Sequence, residues 1–311
     1  MKRLLIIDNL HPAFMESLES AGHLCDYRPD ITYEECLRVI GDYQGLLVRS
    51  KFYVGAELLD AATQLEFIGR AGAGMDGIDV AYATGKNIQL LNAPEGNRDA
   101  VGEHALGMLL SLLNNLRAGD MQVRGGTWDR EGNRGLELNG RTIGIVGYGY
   151  MGQSFARKLS GLDVRVLAYD KYKRGFSDDH AGEASMERLF AEAEVLSLHI
   201  PLTTETRGMV NADYWASFQK EIFFINTARG EIVHTPDLLS AISGGKVRGA
   251  ALDVLETEKF PALGGQTWFQ ELAACNRVLL SPHVAGWSFE SYRRISEVLA
   301  AKILALDTFA F

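Results

Sequence analysis

Arg141-Thr-Ile-Gly-Ile-Val-Gly147-Tyr-Gly149-Tyr-Met-Gly152, followed by Val164-Arg-Val-Leu-Ala-Tyr169 and then Asp170, is the stretch whose reading decides the fold. Ile143, Ile145 and Val146 form an apolar run that reads as a buried strand. Three glycines then let the backbone turn closely past a pyrophosphate, and Gln153 to Leu159 opens a helix whose N-terminus favours an anion. The second strand of the unit ends in Asp170, about 20 residues beyond the glycines, where a carboxylate accepts ribose hydroxyls and repels a 2′-phosphate. A glycine loop alone is weak, because ordinary strand-to-helix turns and methyltransferase loops share it. The strand before it, the helix after it and the acid at this distance make it a dinucleotide site, and the acid favours NAD. Lys171, directly after Asp170, pulls in the other direction.

The rest of the chain supports two such layers. Its 311 residues, 47% of them hydrophobic, exceed one ordinary core and suit two domains. From residue 3 to about 93, apolar runs at Leu4 to Ile7, Gly45 to Val48, Leu65 to Ile68 and Ile88 to Leu91 alternate with helical segments at Pro12 to Ala21, Tyr33 to Ile40 and Ala56 to Ala62. That alternation predicts a parallel sheet. Asn92 to Asn97 interrupts the pattern, and Ala100 to Leu116 reads as a helix with Val101, Ala105, Met108, Leu109, Leu112 and Leu113 on one stripe and His104 beside it. A polar stretch from Arg117 to Asn139 follows, long for a structureless loop. Its Trp128 is expected to be buried against a second subunit.

A second run offers six strands, at Thr142 to Val146, Val164 to Tyr169, Val195 to His199, Ile222 to Asn226, Gly249 to Val254 and Arg277 to Leu280. Phe289 to Leu306 closes the chain as an apolar-striped helix expected to return to the first sheet, which needs cover on both faces.

A net charge of -9 argues against nucleic acid or an anionic membrane as a general partner. Cys25, Cys36 and Cys275 are odd in number and far apart, so no disulfide framework and no metal site is expected, and a reducing cytoplasm fits. The opening Met-Lys-Arg-Leu-Leu-Ile-Ile-Asp8 reads as a first strand, its apolar run being too short for a leader.

Three ionisable residues lie at strand ends of the second half: Arg229 in Ile225-Asn-Thr-Ala-Arg-Gly230, Glu258 after Ala251-Leu-Asp253-Val-Leu-Glu-Thr, and His283 in Ser281-Pro-His-Val-Ala-Gly286. Strand carboxyl ends face the ligand crevice of open α/β sheets. A guanidinium there can bind a carboxylate and polarise a carbonyl. A histidine can carry the proton that accompanies hydride transfer, and an adjacent acid favours its charged form. Each of the three taken singly would more often be a solvated charge or a satisfied side chain. In this order, downstream of a dinucleotide loop, they predict a 2-hydroxy acid site.

These motifs, together with Gly72-Ala-Gly74-Met-Asp-Gly-Ile-Asp79, Asn92-Ala-Pro-Glu-Gly-Asn-Arg-Asp-Ala-Val-Gly-Glu103 and His199-Ile-Pro-Leu-Thr-Thr-Glu-Thr-Arg-Gly208, resemble the D-2-hydroxyacid dehydrogenase family, and within it the phosphoglycerate dehydrogenase branch. The resemblance covers nearly the whole chain. It implies two doubly wound parallel-sheet α/β domains, a Rossmann NAD domain (98–286) inserted into a flavodoxin-like substrate domain (1–97 and 287–311), and a homodimer. By resemblance Arg229 binds substrate, His283 is the acid/base and Glu258 its partner. Gly147, Gly149, Tyr150, Met151, Gly152, Asp170, His199, Pro201, Thr227, Ala228, Asp253 and Gly286 would line NAD. Gly72, Ala73 and Gly74 would hold the substrate carboxylate, although such glycines equally suit a plain strand-end turn. Two departures stand out. Lys259 follows Glu258 where the family often has proline, leaving Glu256 as a competitor. The chain also ends after the last helix, so a C-terminal regulatory domain and its serine feedback are not expected.

On the substrate side Arg49 and Lys51 follow a strand, with Ser50 between them as a further candidate contact, and Arg70 precedes Gly72; the three cations suggest 3-phosphoglycerate/3-phosphohydroxypyruvate. Hydroxypyruvate or glyoxylate reduction is the alternative. Formate oxidation is disfavoured because that branch has glutamine where Glu258 stands. An NAD-sensing corepressor resembling the C-terminal binding proteins is the alternative of another class, and measurable turnover separates it from an enzyme.

Overall fold

The computed structural model describes residues 1–308, so residues 309–311 at the end of the expected 287–311 segment lie outside the described residues. The chain divides into two compact units, Met1–Arg98 with Trp287–Phe311, and Asp99–Gly286. The first boundary falls inside the helix Pro94–Leu113.

The first unit holds five parallel strands, β1 (Arg3–Ile6), β2 (Leu24–Tyr27), β3 (Gly45–Val48), β4 (Phe67–Arg70) and β5 (Gln89–Asn92), in the order β2-β1-β3-β4-β5. That is the flavodoxin-like order. Both faces are covered, which explains the uninterrupted apolar runs: Leu4 and Ile6 of β1 pack into one core cluster, Leu5 and Ile7 into the other. Ile295, Leu299, Ala300 and Ile303 of the helix Phe289–Thr308 join Leu4, Ile6, Phe14 and Phe67 in the first of these clusters. The last helix therefore closes this sheet face.

The second unit has seven parallel strands, β6 (Thr142–Val146), β7 (Arg165–Tyr169), β8 (Gly182–Glu183), β9 (Val195–Leu198), β10 (Ile222–Asn226), β11 (Val247–Leu252) and β12 (Val278–Leu280), ordered β12-β11-β10-β9-β6-β7-β8. Counted from β6, this is the doubly wound dinucleotide order with one more strand at the edge, and the order reverses between β6 and β9. Alternate residues again serve two cores: Phe223 and Ile225 of β10 face one, Ile222 and Phe224 the other.

Several local expectations are corrected. β2 is an additional edge strand of the first sheet and the two-residue β8 of the second, so the sheets have five and seven strands rather than four and six. β4 is Phe67–Arg70 rather than Leu65 to Ile68, because Leu65 packs into the core from the turn before the strand. The helix expected from Ala100 begins at Pro94, where a missing N–H costs nothing in the first turn. It ends before Asn115, whose φ of 51° breaks it. The expected long loop contains a further helix, Leu116–Arg124, none of whose residues is buried. Trp128 beyond it is 79% exposed. Among the described residues no helix is long and apolar enough to cross a membrane.

Candidate active site

The loops at the carboxyl ends of β6 and β9 lie side by side where the strand order reverses. Gly147 has φ of 94°, and a Cβ there would sit 2.5 Å from the His199 carbonyl oxygen. A Cβ on Gly152 would sit 2.1 Å from the Gly147 oxygen, so only glycine lets the helix Tyr150–Lys158 pack this close to the strand. Around Gly149, by contrast, there is open space within 4 Å. Gly149 caps the helix without a side-chain hydrogen bond, and a helix N-terminus favours an anion. Tight turn, open approach and close packing are the three properties a pyrophosphate loop needs.

Asp170, after β7, lies against this loop. Its Oδ2 accepts from the Tyr148 N–H at 2.9 Å and its Oδ1 from the N–H groups of Tyr172 and Lys173 at 3.0 and 3.1 Å. Burial works to raise its pKa, but these three donors and the Lys173 charge outweigh it and hold the carboxyl below the ordinary aspartate value. The neighbouring cations are engaged elsewhere: Lys171 pairs with Glu205, Lys173 Nζ donates to the Tyr148 oxygen at 2.8 Å, and Arg174 donates to backbone carbonyls. On the β9 side, the His199 ring receives or gives one bond with Ser197 Oγ at 2.9 Å, and burial pushes its pKa down to about 3, leaving a neutral imidazole. His199 Nδ1 and Thr227 Oγ1 are buried without a protein partner. Two orphaned polar atoms, an open glycine loop and an ionised acid together fit a dinucleotide. Tyr150 is 44% exposed and Pro201 is exposed, while Ala228 is buried.

The ends of β10, β11 and β12 carry the ionisable cluster. After β10 the Asn226 side chain folds the loop, its Oδ1 accepting from the Ala228 N–H and its Nδ2 donating to the Arg229 oxygen, both at 3.0 Å. Arg229 Nη1 donates to the Ala228 carbonyl at 2.6 Å. Gly230 then meets the loop after β11, where a Cβ would lie 1.9 Å from the Leu255 carbonyl carbon. The Arg229 and Glu258 loops therefore pack backbone to backbone.

The two acids after β11 do different work. Glu256 Oε1 accepts the N–H of Thr235 and so caps the helix Thr235–Ser243. Glu258 instead faces His283, its Oε2 2.9 Å and Oε1 3.1 Å from Nδ1. Burial pushes the Glu258 carboxyl up; the hydrogen bond and charge of His283, a backbone bond at Leu255 and the charge of Arg229 overcome this and hold it below the ordinary glutamate range. Lys259 has φ of 70°, which a proline ring, locked near −65°, cannot adopt. The residue following the acid thus follows a backbone path closed to a Glu-Pro pair.

His283 itself has φ of 55°, an uncommon conformation for a residue other than glycine. Asp253 holds it there. This residue is 2% exposed, and its carboxyl accepts from Ser281 Oγ at 2.5 Å and from the N–H groups of Val284 and Ala285 at 2.9 and 2.8 Å. Its carbonyl accepts the His283 N–H at 2.8 Å. The Asp253 side chain holds the loop that presents His283 and leads to Gly286. The supporting roles of Asn226, Ser281 and Glu256 were not apparent from sequence.

In the first unit, Asn92 Nδ2 donates to the Ala73 oxygen at 2.6 Å and steadies the Gly72–Ala73–Gly74 turn. Arg70 folds its guanidinium over Gly72. Asp8 Oδ2 accepts the N–H groups of Arg49, Ser50 and Lys51 at 2.6, 3.0 and 3.2 Å. The Arg49 guanidinium carbon lies 3.2 Å from the centroid of the Trp287 ring, a cation–π contact. Burial destabilises its charge and draws its pKa below the ordinary arginine value, with Asp8 opposing that. Lys51 Nζ donates to the Pro29 carbonyl. Asp8, Arg49, Ser50 and Trp287 border a cavity of about 530 Å³ that Phe289 and Tyr292 also line.

Comparison with known proteins agrees with this arrangement. The profile of the D-isomer specific 2-hydroxyacid dehydrogenase NAD binding domain matches residues 106–285. A glyoxylate reductase of Thermofilum pendens is 35% identical over 280 residues, covering 88% of this chain and 81% of that protein. A D-3-phosphoglycerate dehydrogenase of Archaeoglobus fulgidus is 31% identical over 304 residues, covering 97% of this chain but only 56% of its own length. The crystal structure of a D-lactate dehydrogenase from Aquifex aeolicus complexed with NAD and lactic acid superposes with a TM-score of 0.82 at 27% identity, covering 98% of this chain and 95% of that one. The chain belongs to the D-2-hydroxyacid dehydrogenase family, and its second sheet, with the Gly147–Gly152 loop at the switch point, is a family NAD-binding domain.

Proposed function

We propose that the protein is an NAD-dependent oxidoreductase that moves a hydride between the cofactor and C2 of a short, unphosphorylated 2-hydroxy or 2-oxo acid of the hydroxypyruvate or glyoxylate type. The observation that carries this reading is the His283–Glu258 pair, 2.9 Å apart at the carboxyl edge of a dinucleotide-binding sheet. Bound NAD supplies or accepts the hydride. In reduction, protonated His283 gives its proton to the oxo oxygen as that atom becomes a hydroxyl. Glu258 offsets the imidazolium charge beforehand, and Arg229 binds the substrate carboxylate and polarises the adjacent carbonyl. In oxidation each transfer reverses. The exposed Leu116, Met121, Val123 and Trp128 support a second copy of the chain as a partner.

The substrate preference rests on the state of the cations. A phosphate needs donors not yet neutralised. Arg49 shares its cavity with the Asp8 carboxylate and is stacked on Trp287, and Lys51 is turned to Pro29. Phosphohydroxypyruvate, the substrate first expected from the sequence, is kept as the second reading, favoured by the position of Arg70 over the Gly72 turn and by the likeness to phosphoglycerate dehydrogenases. Initial rates of NADH oxidation with hydroxypyruvate, glyoxylate, pyruvate and phosphohydroxypyruvate test both. The expected result is a kcat/KM for hydroxypyruvate or glyoxylate at least about tenfold above that for phosphohydroxypyruvate, a difference of about 1.4 kcal/mol. The reverse order would establish the phosphorylated substrate, and turnover with none would favour an NAD-sensing binding protein.

A further inference from the structure

The NAD-binding unit contains a histidine that the proposed chemistry does not use. His104 lies on the helix Pro94–Leu113, and its Nε2 is 3.0 Å from Ser281 Oγ and 3.6 Å from Asp253 Oδ1. Ser281 Oγ is in turn 2.5 Å from Asp253 Oδ1. A serine hydroxyl has one proton. Asp253 Oδ1 already accepts the Val284 N–H at 2.9 Å, and the short contact to Ser281 assigns that proton to the same oxygen. Nε2 of His104 must then be the donor to Ser281 Oγ. The helix thus grips the loop Ser281-Pro-His283 through the one side chain that links it to Asp253. Two residues earlier in sequence, at Gly102, the same helix touches the dinucleotide-loop helix so closely that a Cβ would lie 2.7 Å from Ser154 Oγ.

We propose that His104 is a positioning residue: by donating to Ser281 it holds the left-handed backbone of His283 in the orientation that sets its ring against Glu258. This rests on the reading of His283 as acid/base. A loop carrying an uncommon φ persists only where its surroundings over-determine it, and the His104–Ser281 bond is a restraint that comes from outside the loops of β11 and β12. Leucine at this position fills the space but cannot donate, whereas glutamine presents an N–H near the place of Nε2.

The test compares His104→Leu, His104→Gln, Ser281→Ala and the His104→Leu/Ser281→Ala double variant. His104→Leu should lower kcat for hydroxypyruvate reduction by about 10- to 100-fold, with NADH affinity and thermal midpoint close to wild type. Glutamine should recover most of the loss, and the double variant should be no slower than His104→Leu, because both changes break one contact. A wild-type kcat in His104→Leu, parallel loss of NADH binding, or additive losses in the double variant would overturn the proposal. The rate at which diethyl pyrocarbonate modifies His283 gives a readout independent of turnover. It should differ several-fold between His104→Leu and wild type and be restored by glutamine; an unchanged rate would overturn the positioning role. If the wild-type protein reduced no 2-oxo acid, the functional reading would fail while this modification rate still decided the structural one.

Discussion

His283→Asn is expected to reduce kcat for 2-oxo acid reduction by about three orders of magnitude while NADH binds as tightly as to wild type. Asparagine is the informative replacement because it tolerates the φ of 55° found at this position. Its backbone N–H can still donate to the Asp253 carbonyl, so the loop stays in place and only the transferable proton is lost. The cofactor loop is built from β6, β7 and β9, whereas His283 follows β12. Fluorescence titration with NADH, alongside steady-state rates, separates the two effects. Turnover within about tenfold of wild type would remove His283 from the acid/base role.

Arg229→Gln is expected to lower kcat/KM by about two to three orders of magnitude, the usual cost of removing a charged donor aimed at the reacting group. The loop should survive the change. Asn226 holds it through the backbone of Ala228 and Arg229, and Gly230 maintains the close approach to Leu255. Lysine should restore little, because it keeps the charge but loses the planar fork that matches a carboxylate. A loss confined to KM for NADH would instead place Arg229 on the cofactor.

The sheets were legible from sequence because strands buried on both faces are continuous apolar runs, as at Ile143, Ile145 and Val146 or from Ile222 to Ile225. What escaped was marginal by the same physics. β2 is an edge strand whose Leu24 is 50% exposed, and β8 is two residues long. The helix Leu116–Arg124 buries nothing, so no periodic core stripe marks it. The ionisable residues at strand ends could be selected because each follows a readable strand. Their supports could not. Nothing local tells Glu256 from Glu258: one caps a helix that starts at Thr235, the other reaches His283. Likewise His104 meets Ser281 across 177 positions of sequence. Asn226 left a local signal, an amide side chain at a strand end able to bond backbone two and three residues ahead.

The most direct measurement is the pH dependence of kcat/KM for hydroxypyruvate reduction by NADH in the wild type and Glu258→Gln. Glu258 is held below the ordinary glutamate range, so it stays ionised throughout the region where an imidazole titrates. Reduction needs protonated His283, so the rate should fall as pH rises. Replacing the negative partner removes the charge that offsets the imidazolium and steadies its ring, so kcat/KM in Glu258→Gln should lie about 10- to 100-fold below wild type wherever the wild type is active. Equal rates in the two proteins, or a wild-type rate that does not fall as pH rises, would contradict proton transfer by a His283 partnered by Glu258.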